Sequence, residues 1–278
     1  MVLHIQTAVV NNPTFIELQH ETLRFYGKGD YTFTVFNNAK QFEDYSNFGD
    51  TTLYKQIQRT CERLNIPCIH VPSDTHIWNT CAANRCADAM MAVLDYQRAH
   101  KGRYLCLDSD MFPVCQFNTE ELYASVDAAV VPQHRTNDVG KRVDYFWNGL
   151  YSFNMDTLSE TDLMSWRNND VEGVWTDVGG AMTTFLKASY KKNRIFAIPH
   201  TPSLQWGFED FPHGAVDSSW LSFLMTDSRN EKGAFFAELY DAAFLHFRAG
   251  GNWMRGSPDA YAAGVASLKN TVSYVCRA

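Results

Sequence analysis

Residues 104–110 read Tyr-Leu-Cys-Leu-Asp-Ser-Asp, an apolar run that ends in the aspartates Asp108 and Asp110. An apolar run of this kind is typical of a strand that is buried on both faces. A helical pattern from about Asp74 to His100 precedes it, and strand and helix patterns alternate through the first hundred residues. Strands separated by helices pair in parallel through right-handed crossovers. The sequence therefore predicts a Rossmann-like α/β fold, with helices flanking a mostly parallel central sheet and the aspartate pair at a strand end.

The rest of the chain shows further strand and helix patterns. Pro13 suits the first position of a helix that Gly27 and Gly29 end. No linker or internal repeat divides the chain, which favours one domain over residues 1–278. The other expected elements are strands at 5–10, 31–36, 68–71, 126–131, 146–153 and 195–198, helices at 51–64 and 180–190, and a loop at 199–217.

Composition narrows the class of protein. The 24 basic and 31 acidic residues give a net charge of −7, which argues against binding to nucleic acid or to an anionic membrane. No stretch reaches the roughly 20 apolar residues of a membrane span, and the amino terminus lacks the features of a signal peptide. The seven cysteines contain no C-x-x-C pair. We therefore expect reduced thiols in a cytoplasmic protein. Because the net charge is negative, a polyanionic ligand would need a local cation.

The aspartate pair is the first motif with chemistry. Ligands of open α/β sheets bind outside the carboxyl ends of the strands, where Asp108 and Asp110 are expected. Two neighbouring carboxylates repel each other unless a cation lies between them, and oxygen ligands suit Mg²⁺ or Mn²⁺. The alternative is an aspartate that caps the next turn beside a solvated neighbour.

Three later segments bear on this interpretation. In residues 146–154, Asn148-Gly149 interrupts an apolar strand, which suggests close approach of the backbone to a ligand. Asp177 stands at an expected helix start. Residues 244–253 form an apolar strand with one histidine, His246, followed by a glycine turn. Such a histidine is more often a hydrogen-bonded core residue than a ligand.

Together these segments resemble the GT-A glycosyltransferases, in particular family 8, which includes glycogenin-like and bacterial galactosyltransferase enzymes. The resemblance covers about residues 1–255. It implies that Asp108 and Asp110 bind Mn²⁺ (or Mg²⁺) with His246 as the third ligand. It also implies that Asp177 hydrogen-bonds the donor sugar. The remaining matches are Leu107 and Ser109 in the D-x-D strand end, Asn148-Gly149-Leu150 with Phe153 in a strand that lines the sugar site, and Gly250 with Trp253 in the closing segment.

The chain departs from the family pattern at three places. It has Asp177-Val178-Gly179 where the family usually has Asp-Gln-Asp, and Gly251-Asn252 where the family has Lys-Pro. The segment after His246 carries one extra residue before its glycines.

The reaction implied is transfer of a sugar from a nucleotide diphosphate donor, expected to be a UDP-sugar, to a hydroxyl of a glycan, protein or small-molecule acceptor. The family-8 likeness implies retention at the anomeric centre. An inverting enzyme would need a carboxylate base, for which Asp177, Glu209 or Asp210 are candidates. Residues 1–115 are expected to bind the nucleotide sugar and 116–278 the acceptor. The aromatic and acidic segment 205–213 is typical of sugar-binding surfaces, or covers the core.

Further donor contacts are expected at strand ends and on the helix before the D-x-D strand. Arg85 on that helix is a candidate, with an ordinary exposed arginine as the alternative. The other candidates, which fall where a base and ribose would bind, are Thr7, Ala8, Asn37 and Asn38.

Three other functions stay open. A haloacid-dehalogenase-type phosphatase expects a threonine two residues after its second aspartate, where this chain has Phe112. A nucleotidyltransferase expects an early glycine-rich loop with a basic residue, which is absent from the sequence. A non-catalytic carbohydrate-binding scaffold is the third. The sequence does not predict the oligomeric state.

Overall fold

The computed structural model describes residues 2–72, 82–251 and 257–277. The expected helix cap at Ser73 or Asp74 and the motif residue Trp253 lie outside the described residues. The strands, numbered along the chain, are β1 Leu3–Val9, β2 Gly27–Lys28, β3 Tyr31–Asn37, β4 Cys68–His70, β5 Arg103–Leu107, β6 Met111–Pro113, β7 Phe117–Asn118, β8 Ala128–Thr136, β9 Arg142–Asn154, β10 Asp170–Val171, β11 Val174–Trp175, β12 Ile195–Ala197, β13 His200–Thr201, β14 Glu238–Tyr240 and β15 Phe244–His246. The helices are α1 Pro13–Tyr26, α2 Leu53–Leu64, α3 Ala82–Ala99, α4 Met182–Ser189, α5 Ser218–Thr226 and α6 Pro258–Arg277.

The chain divides into two compact units, each assembled from separate segments. The first unit comprises Met1–Asn11, Asp30–Asp108 and Glu120–Ile198. The second comprises Asn12–Gly29, Ser109–Thr119 and Pro199–Ala278. The expectation of one domain with a nucleotide half and an acceptor half stays a prediction.

A mixed sheet forms the centre of the first unit. Within the described residues it has seven strands in the order β12-β8-β9-β5-β1-β3-β4. Neighbouring strands run parallel except at β9, which is antiparallel to both β5 and β8. Helices α2, α3 and α4 pack against this sheet. The predicted α/β fold, with a mostly parallel sheet flanked by helices, is confirmed.

The core of the first unit follows from the apolar runs in the sequence. All five residues of β5 are buried, as expected of a strand covered on both faces. Helix α3 buries Met90, Val93 and Leu94 against this sheet. Helix α3 ends at Ala99, and the chain then turns through Gly102 with a φ of 151°, a conformation that favours glycine over other residues.

The second unit has a smaller antiparallel sheet. Its strands lie in the order β13-β14-β15-β6, and α1 packs against both β6 and α6. Helix α1 begins as the sequence predicts, because Pro13 follows Asn12, whose side chain accepts a hydrogen bond from Thr14 N–H at 3.0 Å. The expected loop at 199–217 contains β13 and a short turn of helix, Phe208–Asp210.

Candidate functional site

The end of β5 lies beside an irregularity in β9. The backbone N–H of Asp108 donates to the carbonyl oxygen of Gly149 at 2.6 Å. Along β9, Tyr151 is opposite Val130 but Trp147 is opposite Val131, so residues 148–150 have no partner on β8. This is a β-bulge, a feature that commonly re-aims side chains near functional sites. The interruption that the sequence predicts at Asn148-Gly149 is therefore present, next to the first aspartate of the motif.

The bulge also explains the glycine. A Cβ atom at Gly149 would lie 2.2 Å from the nearest ring atom of Trp147, so the two side chains could not occupy this arrangement together. Leu107, the last residue of β5, is buried opposite Leu150 and opposite Thr7 of β1. The strand end that carries Asp108 is thus fixed by strands on both sides.

Asp108, Asn148 and Asp177 share one region of the first unit. The Asn148 amide donates to Sγ of Cys86 at 3.2 Å. Burial raises the pKa of the Cys86 thiol, and the nearby negative charges of Asp108 and Asp177 raise it further. The half-buried Cys86 is a residue that sequence reasoning missed, although it follows Arg85 directly on α3. The raised pKa keeps the thiol protonated and uncharged.

Asp177 does not cap α4. That helix begins at Met182, because a turn through Gly179, with φ of 94°, comes between them. The Asp177 side chain is 46% exposed and lies 3.5 Å from the Arg135 guanidinium. Its backbone N–H donates to the Tyr145 hydroxyl at 3.4 Å. The prediction that Asp177 stands at the start of a helix is wrong by about one turn. Its carboxylate is accessible to a ligand.

The candidates at the end of β3 are engaged within the protein. Asn37 and Asn38 are both buried. The Asn37 amide donates to the Tyr54 carbonyl at 3.0 Å, and the Asn38 amide donates to the Arg85 carbonyl at 3.0 Å. Their contact with a base or ribose stays a prediction.

Arg85 is a buried ion-pair partner. It is 1% exposed, and its Nε donates to Oδ2 of Asp44 at 3.1 Å. The alternative of an ordinary exposed arginine is therefore wrong, because the salt bridge offsets the cost of burying the guanidinium. Whether Arg85 also contacts a donor is untested.

Thr7 and Ala8 lie near the carboxyl end of β1. Thr7 is fully buried, and within the described part of the chain its hydroxyl has no hydrogen-bond partner. Ala8 is half-buried. An unsatisfied buried hydroxyl is uncommon in proteins. Contact of Thr7 and Ala8 with a base or ribose stays a prediction.

The sheet of the second unit brings His246 beside Asp110. The strand pairing puts His246 opposite Met111 on one side and opposite Glu238 on the other. Asp110 directly precedes Met111. As a result, His246 Nε2 lies 3.2 Å from Asp110 Oδ1, and His246 Nδ1 lies 2.9 Å from Glu238 Oε2. Sequence reasoning missed Glu238, whose only signal is its place in the strand pairing.

Segment 246–250 wraps around Asp110. The Gly250 N–H donates to Asp110 Oδ2 at 2.6 Å, and the Phe247 N–H donates to the Asp110 carbonyl at 2.8 Å. Burial raises the pKa of Asp110. The positive charge and hydrogen bond of His246, together with the N–H of Gly250, lower this pKa by more than burial raises it, so the net shift is downward. The second aspartate of the motif is therefore a buried carboxylate that stays ionised.

The pKa of Glu238 is lowered for similar reasons. Burial raises its pKa, but the hydrogen bond and charge of His246 lower it, with smaller contributions from Tyr240 and Arg248, and the result is about 2. Both imidazole nitrogens of His246 thus face ionised carboxylates. Either a proton or a metal cation at Nε2 makes the contact with Asp110 favourable.

These donors fit a divalent metal ion. Asp110 and His246 of the second unit supply two of them. Asp108 is separated from Asp110 by one residue, so peptide geometry keeps the Cα atoms of the two aspartates within about 7 Å. Two carboxylates and an imidazole suit Mn²⁺ better than Mg²⁺, whose preferred ligands are oxygens. Ser109, between the aspartates, is half-buried.

Glu209 and Asp210 lie on the turn Phe208–Asp210 of the second unit. Both are exposed, and Asp210 Oδ2 accepts the Gly207 N–H at 2.9 Å. The adjacent Phe208 is 53% exposed, so this part of the segment does not cover the core. A role for either carboxylate as a base stays a prediction.

No protein-family model matches the chain. No curated protein matches it either. Among solved structures it is similar to the mannosyltransferase PcManGT from Pyrobaculum calidifontis in complex with GDP-Man and Mn²⁺, at 12% identity and a TM-score of 0.39 over 70% of this chain and 54% of that one. It is similar to apo mouse xyloside xylosyltransferase 1, at 8% identity and a TM-score of 0.40 over 71% of this chain and 85% of that one. It is also similar to the apo bifunctional glycosyltransferase WbbM, at 11% identity and a TM-score of 0.38 over 70% and 38%. This chain thus aligns with about half of the length of the first of these proteins.

Among the helices of the described residues, none has both the length and the apolar character that crossing a bilayer requires.

Proposed function

We propose that this chain is a metal-dependent glycosyltransferase that moves a sugar from a nucleotide diphosphate to an acceptor hydroxyl. The observation that carries the proposal is the buried pair of Asp110 and His246, whose side chains are 3.2 Å apart. Asp110 follows the strand-end aspartate, Asp108, by two residues. Buried charged groups in proteins are paired or coordinate metals, and a carboxylate and an imidazole in contact are donor types that a divalent ion binds. The order of the motifs along the chain supports the same conclusion.

In this proposal Asp108, Asp110 and His246 hold Mn²⁺ or Mg²⁺. The metal supplies charge neutralisation for the diphosphate leaving group. The protein itself is acidic, with a net charge of −7, so a bound cation also offsets the repulsion of a polyanionic donor. UDP as the nucleotide and membership of family 8 rest on the sequence resemblance alone.

The donor sugar is proposed to lie near Asn148, Gly149 and Asp177. Asp177 is accessible and belongs to the same region of the first unit as Asp108, which supports a hydrogen bond to a sugar hydroxyl. With retention, as the family resemblance implies, the departing phosphate accepts the acceptor proton. With inversion, a carboxylate must take that proton, and Asp177, Glu209 and Asp210 stay the candidates.

The test is a panel of nucleotide sugars assayed with Mn²⁺ and with EDTA. We expect at least one nucleotide sugar to stabilise the protein against heat and to be hydrolysed slowly by it. Both effects should occur with Mn²⁺ and disappear in EDTA. Asp110→Asn removes a negative ligand and should reduce turnover at least about 100-fold. The matched control is Asp95→Asn, which changes an aspartate on α3 that is 65% exposed and should leave turnover unchanged.

The outcomes separate the competing functions. Turnover that persists in EDTA, or in Asp110→Asn, would contradict the metal-dependent mechanism. Metal-dependent binding of a nucleotide sugar without any turnover, even with a broad set of acceptors, would favour a non-catalytic carbohydrate-binding scaffold. Release of diphosphate from a nucleoside triphosphate in the presence of a sugar phosphate would favour a nucleotidyltransferase.

A further inference from the structure

We infer that Glu238 is a positioning residue that fixes the imidazole of His246 with its Nε2 lone pair directed to the metal. The inference rests on the proposed metal-dependent function. It concerns a carboxylate that no motif of the sequence includes.

The strand pairing produces this arrangement. Antiparallel strands β14 and β15 put Glu238 directly opposite His246, and residues in this relation have side chains on the same face of the sheet. Glu238 Oε2 is 2.9 Å from His246 Nδ1, and the two side chains are only 14% and 8% exposed. The contact is therefore a well-shielded hydrogen bond between facing residues.

Glu238 is itself held in place from several directions. The Tyr240 hydroxyl donates to Glu238 Oε2 at 2.9 Å, and the Ser203 N–H donates to Oε1 at 3.4 Å. The Arg248 guanidinium lies 3.7 Å from Oε1. A carboxylate with this many partners is fixed in orientation, and it can therefore fix the orientation of the ring that it contacts.

The contact provides an acceptor for the Nδ1 proton when Nε2 binds a metal. A metal-bound imidazole keeps its remaining proton on the other nitrogen, and Glu238 Oε2, 2.9 Å from Nδ1, is placed to accept a hydrogen bond from it. A neutral ring then has its lone pair on Nε2, the nitrogen that lies 3.2 Å from Asp110. Carboxylates that hold metal-bound histidines in this way commonly contribute 10- to 100-fold to metal affinity.

Glu238 does not belong to the ligand set itself. The ring of His246 separates the two carboxylates, with Glu238 on its Nδ1 side and Asp110 on its Nε2 side. The group that could hold a metal contains Asp110 and His246 but not Glu238. Glu238 therefore acts on the metal only through the histidine.

The experiment compares wild type with Glu238→Gln by two readouts on the full chain. The first is Mn²⁺ affinity, measured by titration of the metal alone. The second is the imidazole ¹⁵N spectrum of the protein saturated with diamagnetic Mg²⁺ at mildly alkaline pH, with the His246 signals assigned by their loss in His246→Ala. We expect the Mn²⁺ dissociation constant to rise about 10- to 100-fold in Glu238→Gln. We also expect its imidazole to change from one tautomer, protonated at Nδ1, to a mixture.

Two controls keep the result interpretable. Glu172→Gln changes an exposed glutamate that pairs with two lysines in the first unit, and it should alter neither readout. Tyr240→Phe removes one hydrogen bond to Glu238 but leaves its charge, so it should weaken Mn²⁺ binding less than Glu238→Gln does. If Glu238→Gln fails to fold, Tyr240→Phe still tests the inference, and normal affinity with an unchanged tautomer would then overturn it.

The outcomes also distinguish this inference from the proposed function. Wild-type affinity in Glu238→Gln, while the wild type binds Mn²⁺, would overturn the role of Glu238 and leave the proposed function intact. Failure of the wild type to bind Mn²⁺ would overturn the metal site and the proposed function with it. A wild-type ring protonated at Nε2 would overturn the role of Glu238 whatever the metal affinity.

Discussion

The Gly250 N–H donates to Oδ2 of Asp110 at 2.6 Å, and this contact is possible only because residue 250 has no side chain. A Cβ atom there would lie 2.6 Å from Asp110 Oδ2 and 2.7 Å from Cε2 of Phe15, closer than real Cβ contacts. Phe15 is buried and cannot move away freely. The glycine after the histidine therefore fixes the position of a proposed metal ligand.

The first prediction concerns Gly250→Ala. The new methyl group would overlap both Asp110 and Phe15 and must displace both, and overpacking of this kind costs about 1–3 kcal/mol of folding free energy. The displaced Asp110 also loses its hydrogen bond with the N–H of residue 250. We therefore expect Mn²⁺ affinity to fall at least about tenfold, which corresponds to roughly the free energy of one hydrogen bond to a charged group. Thermal melting and metal titration of the same sample provide the two measurements.

The control for this prediction is Gly214→Ala. Gly214 has φ of 86° but no atom within 4 Å of its Cβ position, so alanine brings backbone strain without a clash. It should lower the melting temperature and leave Mn²⁺ affinity unchanged. Equal loss of affinity in both variants would show that Gly250 acts only through stability.

The second prediction concerns His246→Ala. As the only nitrogen among the proposed ligands, the imidazole favours Mn²⁺ over Mg²⁺. Its removal should weaken Mn²⁺ binding strongly and narrow the preference for Mn²⁺ over Mg²⁺, as measured by competition between the two ions. His134→Ala is the control, since His134 is exposed on β8 of the first unit. A lower melting temperature with unchanged metal preference would instead identify His246 as a core histidine.

The third prediction separates the sugar contact from the nucleotide contact. Asp177→Asn should lower turnover more than it weakens binding of the free nucleoside diphosphate, because that ligand has no sugar. Asp144→Asn is the control, since Asp144 is 62% exposed and belongs to the same unit. The two measurements are kcat with the donor and the dissociation constant of the nucleoside diphosphate. A proportional loss of both in Asp177→Asn would indicate a structural residue.

Local patterns in the sequence predicted most of the first unit and the first helix of the second. The buried strand before Asp108, the strand at 195–198 and the helix after Asn12 all lie where periodicity and turn residues indicate. These features depend on neighbouring residues, so a single sequence contains them. The helix predicted at 180–190 is present as α4, but Asp177 does not stand at its start, because the turn through Gly179 depends on its close approach to the Phe146 carbonyl rather than on local propensity.

Pairings between distant residues were beyond the sequence. Glu238 precedes His246 by eight residues, and only the register of β14 and β15 puts them opposite each other. For Arg85 the sequence left a donor contact and an exposed arginine as alternatives, and neither included its buried ion pair, because Asp44 is 41 residues away. The antiparallel direction of β9 also follows from pairing, since its apolar run would suit a strand of either direction.

The last prediction tests the fold rather than the function. Asp127 is 9% exposed at its side chain, where its carboxylate accepts the Arg194 N–H at 2.8 Å and the Thr157 hydroxyl at 2.7 Å. Hydrogen bonding to Arg194 is the main reason that its pKa falls from 3.8 to about 2, and burial opposes the shift. A folded pKa below the unfolded value stabilises the protein above about pH 4, and this stabilisation is lost as the pH falls towards 2.

Asp127→Asn should therefore reduce the free energy of unfolding by about 2 kcal/mol at pH 7, and by progressively less between pH 4 and pH 2. Urea denaturation of both proteins across this range measures the difference directly, and effects common to both proteins cancel. Asp156→Asn, at an exposed aspartate nearby, should change stability by less than about 0.5 kcal/mol at every pH. If the difference between wild type and Asp127→Asn were constant from pH 7 to pH 2, the ionised carboxylate would not be its source.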